Sequence, residues 1–549
     1  MTDAPMLHAP VLDPITVEVI GAALSSIVEE TGEALIRASY STNIKERRDC
    51  STALFDTVGN TLCQAEHIPI HLGSFIGIVP HILKLHRVED MRSGDVFVGN
   101  DAYVGGGTHL PDIVLAEPIF VDGEIAAWTV NLAHHADFAD RGHAHIYQEG
   151  LRIPPVRLHR AGELQKDVLD LILLNCQVPR ERLSDLRAQM AANRVGVQRF
   201  QALCAKYGKA TVMAAGAALL DYAERKMRAG IAAIPDGSWT FEEVFESTEV
   251  PTPLPLKVRV TIKGDTMALH FDSPDQLRAG LNMTYTALLA TAYYVVKSVV
   301  DPTILPNAGL ARPLTITARE GSVLNCAHPA AVNGRVQTCQ RVSDLILGAL
   351  AQAVPERVTA CSNSVCTVAT FIGQRAEDGA IWVYLETMGG GAGARATKDG
   401  LDGVHVHVTN TSNLPVEALE TEYPLTLLRY ELVDGSGGVG TYRGGMGLRR
   451  VYRADQDCRV RVDVSRLSSQ SWGLLGGGPG GNGAVECGPG VEFDRDNAVL
   501  KAGQWFAVVS PGAGGYGPPE KRDRAAVARD LAEGVIDATA AKEAYRYAV

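Results

Sequence analysis

Histidines and aspartates are concentrated in one segment of the chain, residues 99–145. Imidazole together with carboxylate is the ligand set that proteins use for a divalent metal such as manganese, iron or zinc. We therefore expect the fold to bring some of these side chains together around a metal ion. The alternative is a polar, histidine-rich surface loop. The segment holds five of the chain's fifteen histidines, His109, His134, His135, His143 and His145, and among them lie the acids Asp101, Asp112, Asp137 and Asp140.

The spacing within this segment predicts which side chains meet. His109 and Asp112 lie three residues apart at the end of a glycine-rich turn. The run IVLAEPIF has strand character, the following Asp-Gly pair is a hairpin turn signal, and EIAAWTVNLA is the return strand. Successive strand residues point to opposite faces, so only one of the two histidines at its end faces the metal. We predict His109, Asp112 and His134 as ligands, and His135 as an outer or substrate contact.

Composition limits the class of protein. The chain has 549 residues, of which 46% are hydrophobic and 21% charged, which is typical of a globular protein with two or three domains. Its net charge of −12 disfavours binding to nucleic acid or to an anionic membrane. No uncharged apolar run reaches the length of about 18 residues that a membrane span needs. The amino terminus lacks the features of a signal peptide. The ten cysteines are scattered without a C-x-x-C pair, and with neither a signal peptide nor a membrane span we expect a cytoplasmic protein.

Helical and strand patterns alternate irregularly along the chain, and the last third is rich in glycine. This mixture predicts a mixed α/β (α+β), multidomain fold with a glycine-rich, β-containing C-terminal part. Helical periodicity is found in residues 14–38 and 164–230 and in two short segments at the end of the chain, and strand alternation in residues 238–272 and 357–387.

We place a domain boundary at the turn around residue 235, where Pro-Asp-Gly separates a helical region from a strand region. Residues 1–235 form a predicted α/β domain that contains the metal site and a helical scaffold. Residues 236–549 form a predicted mixed α/β to β-rich domain, which is expected to supply a subunit interface.

A charged cluster precedes the strand CSTALFD and comprises Lys45, Arg47, Arg48 and Asp49. A solvated loop is the ordinary interpretation of such a cluster. The alternative is that these side chains line the site and hold an anionic group.

Two further pairs of histidines are candidates for the site. His67 and His71 have the spacing of one helix face, but Pro69 interrupts a helix between them, and a place near the metal is one alternative for both. His405 and His407 lie in GVHVHVTNT, where strand alternation predicts that they share one face as a core or interface pair.

Three glycine clusters stand out in the last third, at residues 389–400, 472–481 and 510–519. None matches the phosphate loop G-x-x-x-x-G-K-[ST], and none follows a strand and opens a helix as a dinucleotide site requires. We expect no nucleotide site here. Tight turns and close backbone packing are the ordinary interpretation, and a subunit interface or substrate channel is the alternative.

Several longer motifs together resemble the hydantoinase B family. They occur in family order along nearly the whole chain: NIKERRDCSTALFD, HIPIHLGS, GGGTHLPDI, NLAHHAD, YQEGLRIPP, KDGLDGVHVHVTNTSNLPVEALE, YRGGMGLRR and SPGAGGYGPP. The family includes B-type subunits of N-methylhydantoinase, the matching half of 5-oxoprolinase, caprolactamase, and alpha-type subunits of acetone carboxylase.

This resemblance implies a division of labour between two chains. A hydantoinase A-type partner binds ATP and phosphorylates the substrate carbonyl oxygen, while the B-type chain carries a divalent metal. In the carboxylase relatives the metal is manganese, held by two histidines and one aspartate. The family's His-x-x-Asp falls on His109 and Asp112, and its following histidine falls on His134. Asp137 would orient a ligand histidine or take a proton. His135, next to the ligand His134, is the second residue that we predict to be catalytic.

Two departures from the family pattern lie beside these residues. One extra glycine precedes Thr108-His109, and Phe138-Ala139-Asp140 stands where the family often has V-G-G. Neither change alters the three predicted metal ligands. The neighbouring substrate pocket is expected to differ from that of other family members.

The resemblance predicts the B-type catalytic subunit of an ATP-dependent amidohydrolase that opens a cyclic amide, either hydantoin, 5-oxoproline or a lactam-like ring. Its metal would be manganese, zinc or iron, and ATP would be bound by the partner of a hetero-oligomer. One alternative is the alpha-type subunit of an ATP-dependent ketone carboxylase. The other is a non-catalytic scaffold subunit with a structural metal.

Overall fold

The computed structural model of the chain describes residues 12–104, 107–135, 142–494 and 497–548. Within these ranges the chain forms four β-sheets and eleven α-helices. The fold is α+β and multidomain, as the sequence predicts. None of the helices in the described ranges is both long and apolar enough to cross a membrane.

The first sheet has seven antiparallel strands in the order β2-β1-β5-β4-β3-β6-β7. Strands β4 and β5 form the predicted hairpin and occupy the centre of the sheet, so both of their faces are buried. The strands are β1 (Cys50–Phe55), β2 (Thr61–Gln64), β3 (Val96–Gly99), β4 (Asp112–Val121), β5 (Glu124–His134), β6 (Val156–Arg160) and β7 (Glu163–Leu164).

Helices cover both faces of this sheet. The apolar stripes of α1, α5 and α6 pack on one face, and α3 packs on the other against Trp128 and its neighbours. The first helix has the bounds that the sequence predicts, because Asp13 caps it by accepting a hydrogen bond from the Thr16 backbone N–H at 3.0 Å. The helices are α1 (Pro14–Ala38), α2 (Thr42–Lys45), α3 (His71–Leu85), α4 (Lys166–Leu174), α5 (Pro179–Tyr207) and α6 (Lys209–Ala232).

The second sheet has four strands in the order β11-β10-β9-β8, and α7 and α8 contribute to the same core. Helix α8 is buried at nearly every position, so it is a central element rather than a surface one. Helix α6 ends just before residue 235, and strand β8 begins just after it. The division of the chain into two domains at this point stays a prediction. The elements are β8 (Gly237–Phe245), β9 (Leu254–Lys263), β10 (Thr266–Asp272), α7 (Tyr285–Val300), β11 (Leu314–Ala318) and α8 (Arg335–Leu350).

The last third folds as two sheets packed face to face. Their orders are β13-β12-β16-β19-β18 and β14-β15-β20-β17, and Phe371, Tyr452 and Phe506 lie in the core between them. The two short helices predicted at the end of the chain are present. The elements are β12 (Thr367–Gln374), β13 (Ile381–Met388), α9 (Val416–Glu422), β14 (Leu425–Leu432), β15 (Leu448–Ala454), β16 (Cys458–Asp463), β17 (Ala484–Cys487), β18 (Phe493–Asp494), β19 (Asn497–Leu500), β20 (Trp505–Val509), α10 (Arg524–Ala532) and α11 (Ala538–Glu543).

The glycine clusters pack backbone against backbone at one end of this pair of sheets. A Cβ atom on Gly391 would lie 2.0 Å from the carbonyl oxygen of Gly445 and 2.6 Å from the backbone nitrogen of Ala513. Gly515 donates its N–H to the carbonyl of Gly478 at 2.9 Å, which joins the second cluster to the third. Close packing of main chains therefore explains these glycines.

A buried chain of charges ties the segment before β1 to both C-terminal sheets. Glu386 on β13 lies 2.6 Å from the Arg450 guanidinium on β15 and 3.7 Å from that of Arg47. All three side chains are fully or almost fully buried. Arg47 thus neutralises a carboxylate of the protein itself, and the ordinary interpretation of its cluster as a solvated loop is wrong for Arg47 and for the buried Asp49. Lys45 and Arg48 are exposed.

This charge chain makes a stability prediction. Glu386→Ala leaves two guanidinium groups buried without their carboxylate, which is expected to cost about 3–5 kcal/mol of unfolding free energy. The matched control is Glu431→Ala, which removes a half-exposed partner of Arg449 and is expected to cost at most about 1 kcal/mol. Urea unfolding of both variants measures the difference. Equal midpoints for the two variants would contradict the structural role given to Glu386.

Candidate metal centre

The β4–β5 hairpin brings two predicted ligands face to face. Asp112 is the first residue of β4 and His134 the last of β5, and the strand register pairs them directly. His109 lies in the turn just before β4, where its backbone carbonyl accepts from the Asp112 N–H at 3.3 Å. The hairpin predicted from the Asp-Gly turn is present, and it places the side chains of His109, Asp112 and His134 close together.

These three side chains form a compact group of possible ligand atoms. His109 Nε2 lies 3.0 Å from Asp112 Oδ1, and the rings of His109 and His134 are 5.0 Å apart between centroids. One donor atom from each residue falls within 4.8 Å of the others. A separation of 3.0 Å is what two neighbouring ligands show when each lies about 2.0–2.2 Å from one ion.

The protons around His109 indicate that a cation belongs between it and Asp112. Its Nδ1 lies 3.2 Å from the Asn333 carbonyl oxygen and its Nε2 lies 3.0 Å from Asp112 Oδ1, and both of these oxygens can only accept. Burial and the Arg335 guanidinium lower the pKa of His109 to about 4, so the ring is neutral near pH 7 and carries one proton for two acceptors. A cation between Nε2 and Asp112 Oδ1 would resolve this shortage, with the proton on Nδ1. This donor set fits a divalent metal.

Asp112 is held so that one oxygen faces the site. Its Oδ2 accepts a hydrogen bond from Arg335 at 3.0 Å, while Arg335 Nε donates to Thr108 Oγ1 at 2.9 Å. Burial alone would raise the pKa of Asp112, but His109 and Arg335 outweigh burial and keep it well below the usual range. The carboxylate is therefore ionised, as a ligand must be.

His134 is fixed by a chain of hydrogen bonds from the preceding segment. The Asn43 amide nitrogen lies 3.0 Å from His134 Nδ1 and donates to the His134 carbonyl at 2.7 Å. Arg47 donates to the Asn43 Oδ1 at 2.8 Å, so Asn43 itself is held in one orientation. The His134 N–H donates to the backbone carbonyl of Asp49 at 3.0 Å.

A second imidazole–carboxylate pair borders the group. His71 Nε2 lies 3.6 Å from Asp49 Oδ1 and 4.0 Å from Asp112 Oδ1, and its Nδ1 contacts Ser51 Oγ at 2.8 Å. Burial lowers the pKa of His71, although Asp112 and Asp49 oppose this effect. His71 therefore lies beside the candidate ligands, which was one alternative for this histidine. Helix α3 begins at His71, immediately after the segment that Pro69 interrupts.

The other predicted residues lie elsewhere. His67 lines a cavity of about 670 Å³ that is separate from the smaller cavity beside His109 and His134. Among the described lining residues, the two cavities share only Ile68. His135 points away from the ligands into the helical scaffold, where its Nε2 lies 3.1 Å from Gln189 Oε1 on α5. Burial and Arg182 lower the pKa of His135 to about 3. A direct role in chemistry does not suit this position. Asp137 lies outside the described residues.

The histidines of GVHVHVTNT do not form the predicted strand pair. The chain turns there, and His407 adopts a left-handed backbone with φ of 51°. His407 Nε2 bonds to the buried Asp344 at 2.8 Å, whereas His405 contacts Thr409 at 3.2 Å and Thr411 at 3.1 Å. The two side chains therefore serve different local networks, and the alternation in the sequence was misleading.

A cavity of about 100 Å³ opens beside two of the candidate ligands, His109 and His134. It is bordered by the end of the first sheet, the start of α3, the start of α8 and one face of the five-stranded sheet. Both halves of the chain contribute to it. Sequence reasoning missed the contributions of the second half, because no local pattern indicates that they approach the hairpin. They include Asn333, Arg335, Thr370, Arg461 and Asp463.

Comparison with known proteins gives a consistent result over the whole chain. The family described as Hydantoinase B/oxoprolinase matches residues 13–519. The chain is 34% identical to the B-type chain of a putative D-/L-hydantoinase from a Pseudomonas species, strain NS671, over 96% of this chain and 93% of that protein.

Two solved structures are similar along nearly the whole chain. The ATP-dependent caprolactamase from Pseudomonas jessenii superposes with a TM-score of 0.84 at 28% identity, over 98% of this chain and 96% of that chain. A nucleotide-free acetone carboxylase superposes with a TM-score of 0.86 at 19% identity, over 97% of this chain and 79% of the other. At that identity the second likeness is one of fold alone.

The hydrogen bonds of Asn43 lead to a prediction about His134. Asn43→Ala removes the amide that fixes the ring and is expected to weaken binding of Mn²⁺ or Zn²⁺ by about 10- to 100-fold while the fold is retained. Asn413→Ala, which removes an exposed asparagine bonded to Tyr430, is the matched control and is expected to leave affinity unchanged. Competition with a chelator measures both. Unchanged affinity in Asn43→Ala would show that Asn43 does not position the histidine.

Proposed function

Because the chain belongs to the Hydantoinase B/oxoprolinase family, we propose that it is the metal-bearing subunit of an ATP-dependent enzyme that hydrolyses a small cyclic amide. The names of its relatives support this: one is the B-type chain of a hydantoinase and another is an ATP-dependent caprolactamase. The substrate would be a hydantoin, 5-oxoproline or a lactam-like ring. A separate hydantoinase A-type subunit would bind ATP, since this sequence has no phosphate loop.

His109, Asp112 and His134 would hold the divalent ion, which we propose to be manganese, zinc or iron. The observation that carries this proposal is the close approach of His109 Nε2 and Asp112 Oδ1, buried and 3.0 Å apart, with the Asn333 carbonyl oxygen 3.2 Å from His109 Nδ1 as a second acceptor for the single ring proton. Bound there, a divalent metal supplies Lewis-acid polarisation of a carbonyl and lowers the pKa of a water.

The chain's own residues would prepare the site for ring opening. Arg335 keeps the carboxylate of Asp112 ionised and fixed, and the Asn333 carbonyl fixes the tautomer of His109. His71 is neutral near pH 7, so its Nε2 can take a proton from an attacking water. Asp49, 3.6 Å from that nitrogen, would stabilise the imidazolium that results.

The partner would phosphorylate the amide carbonyl oxygen before attack, which turns a poor electrophile into a good one. The assignment of Asp137 to proton transfer stays a prediction. A structural metal would need a closed ligand set. Two of the three candidate ligands, His109 and His134, instead border a cavity, which favours catalysis. The likeness to acetone carboxylase is confined to the fold and does not favour carboxylation.

The proposal is tested by metal analysis and turnover in the same variants. Wild type is expected to carry about one metal per chain and, with its partner subunit, to open a cyclic amide in an ATP-dependent reaction. His109→Ala and His134→Ala are expected to lose both the metal and turnover while their circular dichroism is unchanged. His270→Ala, on an exposed position of β10, is the control and should retain both. Full metal content in the two ligand variants would contradict the site.

A further inference from the structure

The larger cavity, which His67 lines, lies between α3 and α7. Its volume of about 670 Å³ falls within the range of about 300–1,000 Å³ that is typical of small-molecule sites. The turn between β1 and β2, the segment before α3, α3 itself, α7 and residues 302–311 form its walls. Because Ile68 is the one described residue that it shares with the smaller cavity, it is a compartment separate from the candidate metal centre.

Lys297 on α7 brings a positive charge to this cavity without a carboxylate that neutralises it. Its Nζ donates to the Pro302 carbonyl oxygen at 2.5 Å and forms no ion pair with the described part of the chain. The neighbouring Asp301 is instead bonded to Lys226 at 3.0 Å and to the Thr303 hydroxyl at 2.7 Å. An ammonium group has three N–H donors, so donors of Lys297 remain for a ligand.

Partial burial makes this charge costly. It lowers the pKa of Lys297, although Asp301 and Glu66 oppose this effect. Glu66 lines the same cavity, but it is exposed and forms no ion pair with Lys297. A cation that has lost part of its hydration is stabilised when an anion takes the place of the lost water. The α7 wall therefore favours a ligand that brings a negative charge.

Tyr293 supplies a second donor beside the ammonium group. It lies one helical turn before Lys297, so both side chains are on the same face of α7, and both line the cavity. Its hydroxyl forms no hydrogen bond within the described ranges of the chain. Burial raises the pKa of Tyr293 to about 12, so the hydroxyl keeps its proton near pH 7. A phenol and an ammonium group side by side are donors that suit the two oxygens of a carboxylate.

Apolar side chains from α3 and from residues 302–311 form two further walls of the cavity. Burial lowers the pKa of His67, so its ring is neutral near pH 7 and adds no second cation. The cavity therefore matches a ligand with one negative charge and an apolar body. The apolar lining residues include Leu72, Ile76, Pro80, Ile304, Leu305 and Leu310.

We infer that this cavity is a binding site for a small organic monocarboxylate with an aliphatic or aromatic body. The carboxylate accepts hydrogen bonds from Lys297 and Tyr293, and the body packs against the apolar walls. A phosphate dianion suits the cavity less, because it would meet a single ammonium group and the carboxylate of Glu66. The inference goes beyond the proposed ring opening and does not depend on it.

Titration calorimetry on the full-length, metal-loaded chain tests the inference with hydrocinnamate as the probe. Its neutral amide, hydrocinnamamide, isolates the contribution of the charge, acetate isolates that of the apolar body, and inorganic phosphate tests the class of anion. Hydrocinnamate is expected to bind about 10-fold or more tighter than each of the other three. Equal binding of the acid and its amide, no binding of the acid, or tighter binding of phosphate would overturn the inference.

Three variants assign the binding to single residues, with circular dichroism as the check on folding. Lys297→Met is expected to weaken hydrocinnamate by about 10- to 100-fold and to leave its amide within about 2-fold. Tyr293→Phe removes only the hydroxyl and is expected to weaken the acid by about 3- to 10-fold, which decides the question if Lys297→Met does not fold. Lys263→Met changes an exposed lysine on β9 and is the matched control, with no effect expected. Unchanged binding of the acid in Tyr293→Phe and in folded Lys297→Met would refute the site.

The competing location for a carboxylate is the metal centre, because carboxylates are metal ligands. His109→Ala and the metal-free wild type are expected to bind hydrocinnamate within about 2-fold of the metal-loaded wild type, since the two cavities are separate. Loss of binding in either would place the ligand on the metal and overturn the inference. The proposed function is judged by metal content and ring opening, which this titration does not measure, so either proposal can fail without the other.

Discussion

A carboxylate buried as completely as that of Asp112 is stable only beside positive charge or strong donors, and this requirement organises the centre of the molecule. Arg335, at the first turn of α8, supplies the positive charge and bonds to one carboxylate oxygen. The N-terminal hairpin is thereby tied to a helix from the second half of the chain. The other oxygen faces His109, and this is where a divalent ion would complete the neutralisation.

The cavity follows from the same packing. Helix α8 lies against the hairpin, and the five-stranded sheet faces the ends of β4 and β5. One face of this sheet packs in the apolar core between the two C-terminal sheets, and the opposite face forms the wall of the cavity. The buried charge chain through Glu386 joins the segment that positions His134 to that sheet. The candidate ligands and the wall of the cavity are therefore held by interactions that join distant parts of the chain.

Local sequence patterns predicted the part of the site that local structure makes. The Asp-Gly turn and two apolar strands were enough to place His134 opposite Asp112, and helix α1 was predicted with its observed bounds. The contributions of Arg335 and Asp463 could not be predicted in this way, because they depend on long-range packing. Alternation failed at His407, where a bond to Asp344 holds a left-handed turn that no pattern of hydrophobic residues indicates.

The proposed site holds one divalent ion between the hairpin and α8. The most direct test is a crystal structure of the protein loaded with Mn²⁺ or Zn²⁺, with diffraction data collected on both sides of the metal's absorption edge. One anomalous peak is expected about 2.0–2.3 Å from His109 Nε2, an oxygen of Asp112 and a ring nitrogen of His134. A peak elsewhere, or an occupied metal without these three ligands, would contradict it.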